Sequence, residues 1–381
     1  MAHQPITPSE CLGIIGGGQL GRMFSIAAKQ MGYKVAILEP QKECPAYQFA
    51  DYFIETKYED KNGLDQLAKY SKVVTTEFEN VPAQSLEYLG KYLPVYPDHR
   101  SVLICQNRLH EKQFFNQLNI KTTQFCPINN EIDIDNLNIN IFPSILKTNT
   151  LGYDGKGQIK VNNIQELKNA FTTLNGVPCI LEQLVDLKFE VSIIVARNHF
   201  ETKTYPVVTN NHINGILDTT STKVNLNSNQ QQQINDYAIS IINKLDYIGI
   251  LAIEFFITKD DKILANEMAP RPHNSGHYTL NACVTSQFEQ QVRSICNLKL
   301  GSTELLTNAI MLNLLGDIWQ NTNPDWAKIL KQYDNIKLHL YEKQIAKPGR
   351  KMGHLNIIGK NIEHLTNDLS QIKHALNIKD Q

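Results

Sequence analysis

A glycine cluster set between an apolar strand and a helical segment constrains the start of this chain more than any other feature. Leu12-Gly13-Ile14-Ile15 reads as a short buried strand and runs directly into Gly16-Gly17-Gly18-Gln19-Leu20-Gly21. A helical pattern continues to about Met31, stops at Gly32 and gives way to a strand at 34–38. Another strand at 73–76 ends in Glu77-Phe78-Glu79. Strand and helix in alternation predict an open parallel sheet, whose ligands sit beyond the carboxyl ends of the strands. Gly16-x-Gly18-x-x-Gly21 therefore has two readings. Its N–H groups bind a phosphate, with NAD as one case and Glu39 placed as the ribose acid, or the glycines only let the turn pack. Arg22-Met23 stands where a P-loop needs Lys-Ser/Thr, which excludes that motif.

Near Arg108 the pattern changes, after a boundary at Leu93-Pro94-Val95-Tyr96-Pro97. A helix over 109–118 precedes β segments at 144–147, 158–161, 179–183, 190–196, 251–258 and 262–267, a mostly antiparallel α+β region. The polar tract Asn227–Gln233 reads as a loop entering a helix over 234–244, and roughly the last eighty residues as a third, smaller α/β piece. With 381 residues, two or three domains are expected, at roughly 150 residues per domain. The boundaries fall at 1–107, 108–300 and 301–381.

Charge narrows the partners. Lys+Arg 37 against Asp+Glu 38 leaves a net charge of −1, so no polyanionic nucleic acid or membrane surface is expected to bind. No apolar run approaches the ~20 residues of a membrane span, and Met1-Ala2-His3-Gln4-Pro5 lacks signal-peptide character. The seven scattered cysteines, without a CxxC, read as reduced thiols of a cytoplasmic protein.

Three further clusters carry chemistry. Gly152-Tyr153-Asp154-Gly155-Lys156-Gly157 lies between two β segments, with Lys147 ending the first. Asp-Gly alone would make a hairpin turn, but three glycines with a lysine also suit a flap closing over phosphates. Next, a hairpin symmetric about Asp260-Asp261 sets Glu254 directly opposite Glu267 and Phe256 opposite Ala265. Like charges so placed repel, and only exposure, a shared proton or a divalent cation relieves them. With Asn266 adjoining, Mg²⁺ is the favoured reading. After that hairpin, His273 and His277 have zinc spacing only if helical. Pro272 and Gly276 oppose a helix, which favours a substrate loop containing Arg271 and His273. Lys343 and the run Lys347-Pro348-Gly349-Arg350-Lys351 read as a solvated turn or a phosphate clamp.

Flap, upstream lysine, adenine strand and Glu…Asn-Glu hairpin, in that order, resemble the ATP-grasp enzymes. Within them, Gly18-Gln19-Leu20-Gly21-Arg22-Met23, residues 152–158, Ala269-Pro270-Arg271-Pro272-His273-Asn274-Ser275-Gly276-His277 and Gly349-Arg350-Lys351-Met352-Gly353-His354 resemble the N5-carboxyaminoimidazole ribonucleotide synthetase family of bacterial and fungal purine synthesis. Lys156 stands where many relatives carry Arg.

The resemblance implies an ATP-grasp fold, α/β and α+β, with a Rossmann-like pre-ATP-grasp domain and a small C-terminal domain. It implies ATP contacts from Arg108, Lys147, Gly152, Tyr153, Asp154, Gly155, Lys156, Gly157, Gln158, Glu182, Gln183, Leu184, Val185, Glu190, His212, Asn266 and Glu267. Mg²⁺, with Mn²⁺ as an alternative, would sit on Glu254 and Glu267. 5-Aminoimidazole ribonucleotide would meet Gln19, Leu20, Glu77, Arg271, Asn274, Lys343, Arg350 and Lys351, so the first glycine motif would serve this substrate. Tyr153, Asp154, Lys156, His273 and Lys351 would handle bicarbonate and protons, the carbon passing through carboxyphosphate to the substrate amine. A homodimer is expected. The alternatives are a formate-dependent glycinamide ribonucleotide transformylase-like enzyme and, in another class, an NAD-binding dehydrogenase.

Overall fold

The computed structural model describes residues 4–137, 140–152, 157–320 and 323–378. Cys11–Ile15 is the buried apolar run expected of a central strand. It pairs in parallel with Lys34–Leu38 on one side and Val73–Thr76 on the other, and Tyr52–Ile54 extends the sheet beyond Lys34–Leu38. Ile15 aligns with both Leu38 and Thr76, so Gly16, Glu39 and Glu77 leave the sheet along one edge. The 93–97 stretch still belongs to this unit, since Val95 bridges Val74 in parallel.

A second, four-stranded antiparallel sheet has the order Phe125–Ile128, Cys179–Gln183, Ser144–Thr148, Gln158–Val161. The helix Ile164–Thr173 covers one face through Leu167, Ala170 and Phe171. The third sheet has nine strands and forms the floor of the molecule. Its long central strands Leu187–Arg197 and Gly249–Thr258 are apolar on both faces. One face packs on the helices Arg108–Gln117 and Ser228–Lys244, the other on Tyr278, Ala282 and Leu300.

One expectation needs correction. The polar tract is helix from Ser228 onward, because Asn227 accepts the Gln230 N–H while the Gln230 side chain accepts the Asn227 N–H. That reciprocal cap starts the helix two turns before its apolar stripe begins. The expected α/β piece at the C-terminus shares its sheet with the floor. Asn308–Leu315 pairs with Ile216–Ser221, and Lys351–Gly359 and Ile336–Leu340 follow outward, so the C-terminal strands continue the floor.

The N-terminal sheet is fastened to this floor by the helix Gln287–Ile295. Phe288, Val292 and Ile295 pack against Leu20, Met23 and Phe24. Gln291 donates to Thr75 Oγ1 at 2.9 Å and accepts the Ile250 N–H at 2.6 Å. All seven cysteines are free, and among the described residues no helix is long and apolar enough to cross a membrane.

Candidate active site

The glycine turn already holds an anion, and it belongs to the chain. The Glu77 carboxylate accepts the N–H groups of Gly18 and Gly21, the latter at 2.7 Å, across the start of the helix Gln19–Gln30. Burial pushes its carboxyl above the usual range despite both donors. Glu39 is equally committed, accepting from Gly17 N at 2.9 Å and Tyr58 Oη at 2.7 Å. A pyrophosphate on the turn would displace Glu77, and a ribose on Glu39 would displace Tyr58, so the NAD reading of this motif is overturned.

Between the two antiparallel sheets lies a chain of buried charges. Arg108, Glu111 and Lys112 lie on one face of the helix Arg108–Gln117. The Lys112 ammonium is 3.3 Å from Glu182 Oε2, and Lys147 Nζ is 3.2 Å from Glu182 Oε1. Thr123 donates to the same carboxylate at 3.0 Å. Burial would raise the Glu182 carboxyl, but the two ammonium groups outweigh it and hold it at about 2. Lys147 is lowered, burial outweighing the attraction of Glu182. Arg108 reaches Glu267 at 3.3 Å and donates to Gly152 O at 3.1 Å, while Thr148 N donates to Gly157 O. Both ends of the flap are thus anchored beside Lys147, and Gln158 pairs with it in the ladder. Tyr153, Asp154, Gly155 and Lys156 lie outside the described residues. Past Glu182 the strand end runs through Gln183, Leu184 and Val185, where burial gives way to partial exposure.

The expected carboxylate pairing is present, but the hairpin reaches it by another route. Its turn is odd in length: Ile257 pairs with Ile263, Phe256 with Leu264 rather than Ala265, and Phe255 with Ala265. A bulge at Asn266 then shifts the register so that Glu254 faces Glu267. Asn266 and Glu267 are both half-buried while Ala265 and Met268 are buried. The alternation is broken so that two consecutive side chains share the Glu254 side. Burial first, and the charge of Glu267 second, raise the Glu254 carboxyl to about 8. Two carboxylates facing each other across a bulged hairpin of the floor, one of them buried, fit a divalent cation that supplies the missing charge.

Glu190 and His212 join Glu254. One donor atom from each lies within 4.8 Å of the others, the three-residue group among the described residues able to share a metal ion. His212 Nδ1 is 2.9 Å from Glu190 Oε2, and although burial favours the neutral ring, the surrounding carboxylates lift it to about 8. His273 presents Nε2 to Glu254 Oε1 at 3.7 Å, with Nδ1 on Ser275 Oγ at 2.9 Å. Burial and the charges of Arg271 and Lys351 hold its pKa well below the usual value. His277 turns away to Gln287, 3.0 Å from Nδ1, and to the His354 ring, so the zinc reading of the His273/His277 spacing fails.

Arg271 binds Glu79 through Nε at 2.5 Å, a pair that joins the N-terminal sheet to this loop. Asn274 donates to Asn313 Oδ1 at 3.0 Å. Lys343 acts electrostatically on Glu77, and Lys351 on Glu79, Glu254 and His273. Arg22 ties the helix start to Glu342, next to Lys343, at 3.0 Å. Arg350 donates to Ile345 O at 2.7 Å on the rim. Sequence reasoning missed Glu111, Lys112 and Glu79. A buried charge on a weakly amphipathic helix looks like a solvated face, and only the unusual Arg108-x-x-Glu111-Lys112 stripe hinted otherwise.

Three family models divide the chain. Residues 10–106 match the ribonucleotide synthetase preATP-grasp domain, 113–288 the ATP-grasp domain, and 309–368 the phosphoribosylaminoimidazole carboxylase C-terminal domain. The N5-carboxyaminoimidazole ribonucleotide synthase of Bacillus subtilis is 40% identical over 360 residues, covering 94% of each chain. An ADP complex of N5-carboxyaminoimidazole ribonucleotide synthetase superposes with a TM-score of 0.94 at 40% identity, covering 100% of both chains. The Aspergillus clavatus N5-carboxyaminoimidazole synthase, solved with ADP and 5-aminoimidazole ribonucleotide, is 28% identical with a TM-score of 0.89, covering 97% of this chain and 99% of its own.

Proposed function

The chain belongs to the N5-carboxyaminoimidazole ribonucleotide synthase family of ATP-grasp ligases, and we propose that it performs the family reaction in the cleft between its two antiparallel sheets. It converts 5-aminoimidazole ribonucleotide to the N5-carboxy product at the expense of ATP, in purine synthesis. The transformylase alternative falls with that membership. The observation that carries the placement of the chemistry is the Glu254–Glu267 pair on its bulge, with Arg108, Lys112 and Lys147 grouped beside it.

Bicarbonate is a poor electrophile. Transfer of the ATP γ-phosphoryl group to a bicarbonate oxygen gives carboxyphosphate and ADP. Attack on its carbon by the exocyclic amine then forms the C–N bond, expels phosphate and releases the amine proton. Lys147 and Arg108 neutralise phosphate oxygens in a site that excludes bulk water. Mg²⁺ bound by Glu254 and Glu267 would offset the charge that builds on the transferring group. Glu190 and His212 hold the nucleotide above the floor, with Gln183, Leu184 and Val185 along the base and Asn266 beside the phosphates. Tyr153, Asp154 and Lys156, which lie outside the described residues, are assigned to phosphate and bicarbonate by the family resemblance alone. His273 and Lys351 stand between this site and the ribonucleotide. With its pKa lowered, His273 is neutral at physiological pH and available to accept the amine proton. Gln19, Leu20, Glu77, Asn274, Lys343 and Arg350 receive the ribonucleotide, and Arg271 orders its loop through Glu79.

Phosphate release from ATP by the purified protein is expected to require both bicarbonate and 5-aminoimidazole ribonucleotide. Release that continues unchanged when either is omitted would overturn the reading.

A further inference from the structure

The strand Ile263–Ala269 is the outermost of the nine-stranded sheet, and among the described residues its outer side meets an isolated parallel bridge, Ala265 with Thr122, in place of a neighbouring strand. An exposed edge of this kind is usually left to water or blunted by surface charges. Here it is covered by groups from one short stretch of chain. Ala265 N donates to Lys121 O at 2.8 Å. Lys112 Nζ donates to Asn266 O at 2.9 Å. Glu111 Oε1 accepts the Met268 N–H at 2.7 Å. Lys112 and Glu111 are 1% and 3% exposed.

Burying the Lys112 ammonium costs several kcal/mol before its partners are counted, and burial first, with the charge of Glu267 second, raises the Glu111 carboxyl to about 8, whereas capping a strand edge needs only ordinary polar groups. The two side chains bracket the bulge: one grips the carbonyl of Asn266, the other the amide just beyond Glu267. Lys112 also continues inward, 3.3 Å from Glu182, whose other oxygen is 3.2 Å from Lys147. One ammonium group therefore touches the strand bearing the metal carboxylate and the carboxylate that orients the phosphate lysine.

We propose that Glu111 and Lys112 are positioning residues that hold the Asn266 bulge open and set Glu267 against Lys147, fixing the separation of metal and phosphate sites. This rests on the assignment of metal and ATP to the cleft. Neither residue touches substrate; both act through the backbone of the hairpin.

The experiment compares Glu111→Gln, Glu111→Asp and Lys112→Met in the full-length chain. Gln keeps the reach and an acceptor for Met268 N but cannot ionise; Asp keeps the carboxyl group and falls one methylene short. Binding of Mn²⁺ in the presence of ADP, read from loss of the free Mn²⁺ paramagnetic resonance signal, reports the site without turnover. Loss of orientation around a metal ligand weakens metal binding roughly tenfold to a hundredfold. That loss is expected for Glu111→Asp and Lys112→Met, together with a raised Mg²⁺ requirement and an unchanged KM for 5-aminoimidazole ribonucleotide. Glu111→Gln should stay near wild type. Wild-type Mn²⁺ affinity in Glu111→Asp, or Gln weaker than Asp, overturns the proposal. If Lys112→Met does not fold, the two Glu111 variants still decide. Failure of wild type to bind Mn²⁺ with ADP would instead remove the metal assignment itself.

Discussion

Lys147 shows how a single side chain is made fit for phosphate. It is nearly enclosed, and burial pulls its pKa down. Isolated in an apolar wall it would tend to shed its proton. Glu182 opposes this, and Glu182 is kept ionised by Lys112 on its other oxygen, with its carboxyl at about 2. Two lysines to one carboxylate leave a net positive charge in a preorganised, poorly solvated place. A preorganised donor to developing charge is worth about 2.7–4 kcal/mol. Lys147→Ala should thus lower turnover on the order of a hundredfold or more, while Lys112 still pairs with Glu182 and preserves the fold. Steady-state kinetics beside a thermal melt checks both parts, and a variant within tenfold of wild type would remove Lys147 from the chemistry.

At the level of elements, the metal hairpin shows what can and cannot be read from residue order. Opposed glutamates were legible because a two-residue period and a polar turn put Glu254 and Glu267 at equal distances from a centre. The turn in fact has odd length, and a bulge at Asn266 restores the pairing. Bulges depend on what grips the strand from outside, here Glu111 and Lys112, more than one hundred and fifty positions away in sequence. Local motifs carry local geometry; long-range side-chain contacts to backbone do not show in composition or period. The helix Ser228–Lys244 teaches the converse. Its glutamine-rich start looked like a loop, yet its capping box was in plain sight as Asn227-x-x-Gln230. Loss of such a cap costs about 1 kcal/mol. Asn227→Ala should lower the urea midpoint accordingly and leave kcat unchanged, since the cap is exposed and joins no cleft residue.

At the scale of the whole molecule, the C-terminal strands continue the floor, and the junction is sealed by stacked histidines. His277, from the loop after the metal hairpin, lies 4.7 Å from the His354 ring, and His354 stacks on His339 at 4.4 Å with planes 11° apart. Tyr341 Oη is 2.8 Å from His354 Nδ1, and Asn281 is 2.9 Å from His339 Nε2. Burial holds His277 and His354 well below the usual histidine range and His339 at about 4, with the rings opposing one another's protonation and Lys351 and Arg271 adding positive charge near His277. The sign follows. These groups bind protons more tightly when unfolded, so unfolding takes up protons as pH falls below about 6.5, and stability drops through that window. Each ring that stays neutral in the fold removes up to about 1.4 kcal/mol per pH unit. Between pH 6.5 and 5 this loss precedes the titration of the ion-paired carboxylates, whose pKa values are lowered, as for Glu79 and Glu182. The buried Glu254 and Glu111 carboxyls, raised to about 8, contribute in the opposite sense over the same interval, so the seam is read from the difference in slope between wild type and a variant lacking one ring. His354→Phe keeps a flat ring in the stack and removes one titrating group, so its midpoint should start lower, with Tyr341 unpartnered, yet decline less steeply. A slope equal to that of wild type would mean that the histidine seam does not set the acid limit of the assembled domains.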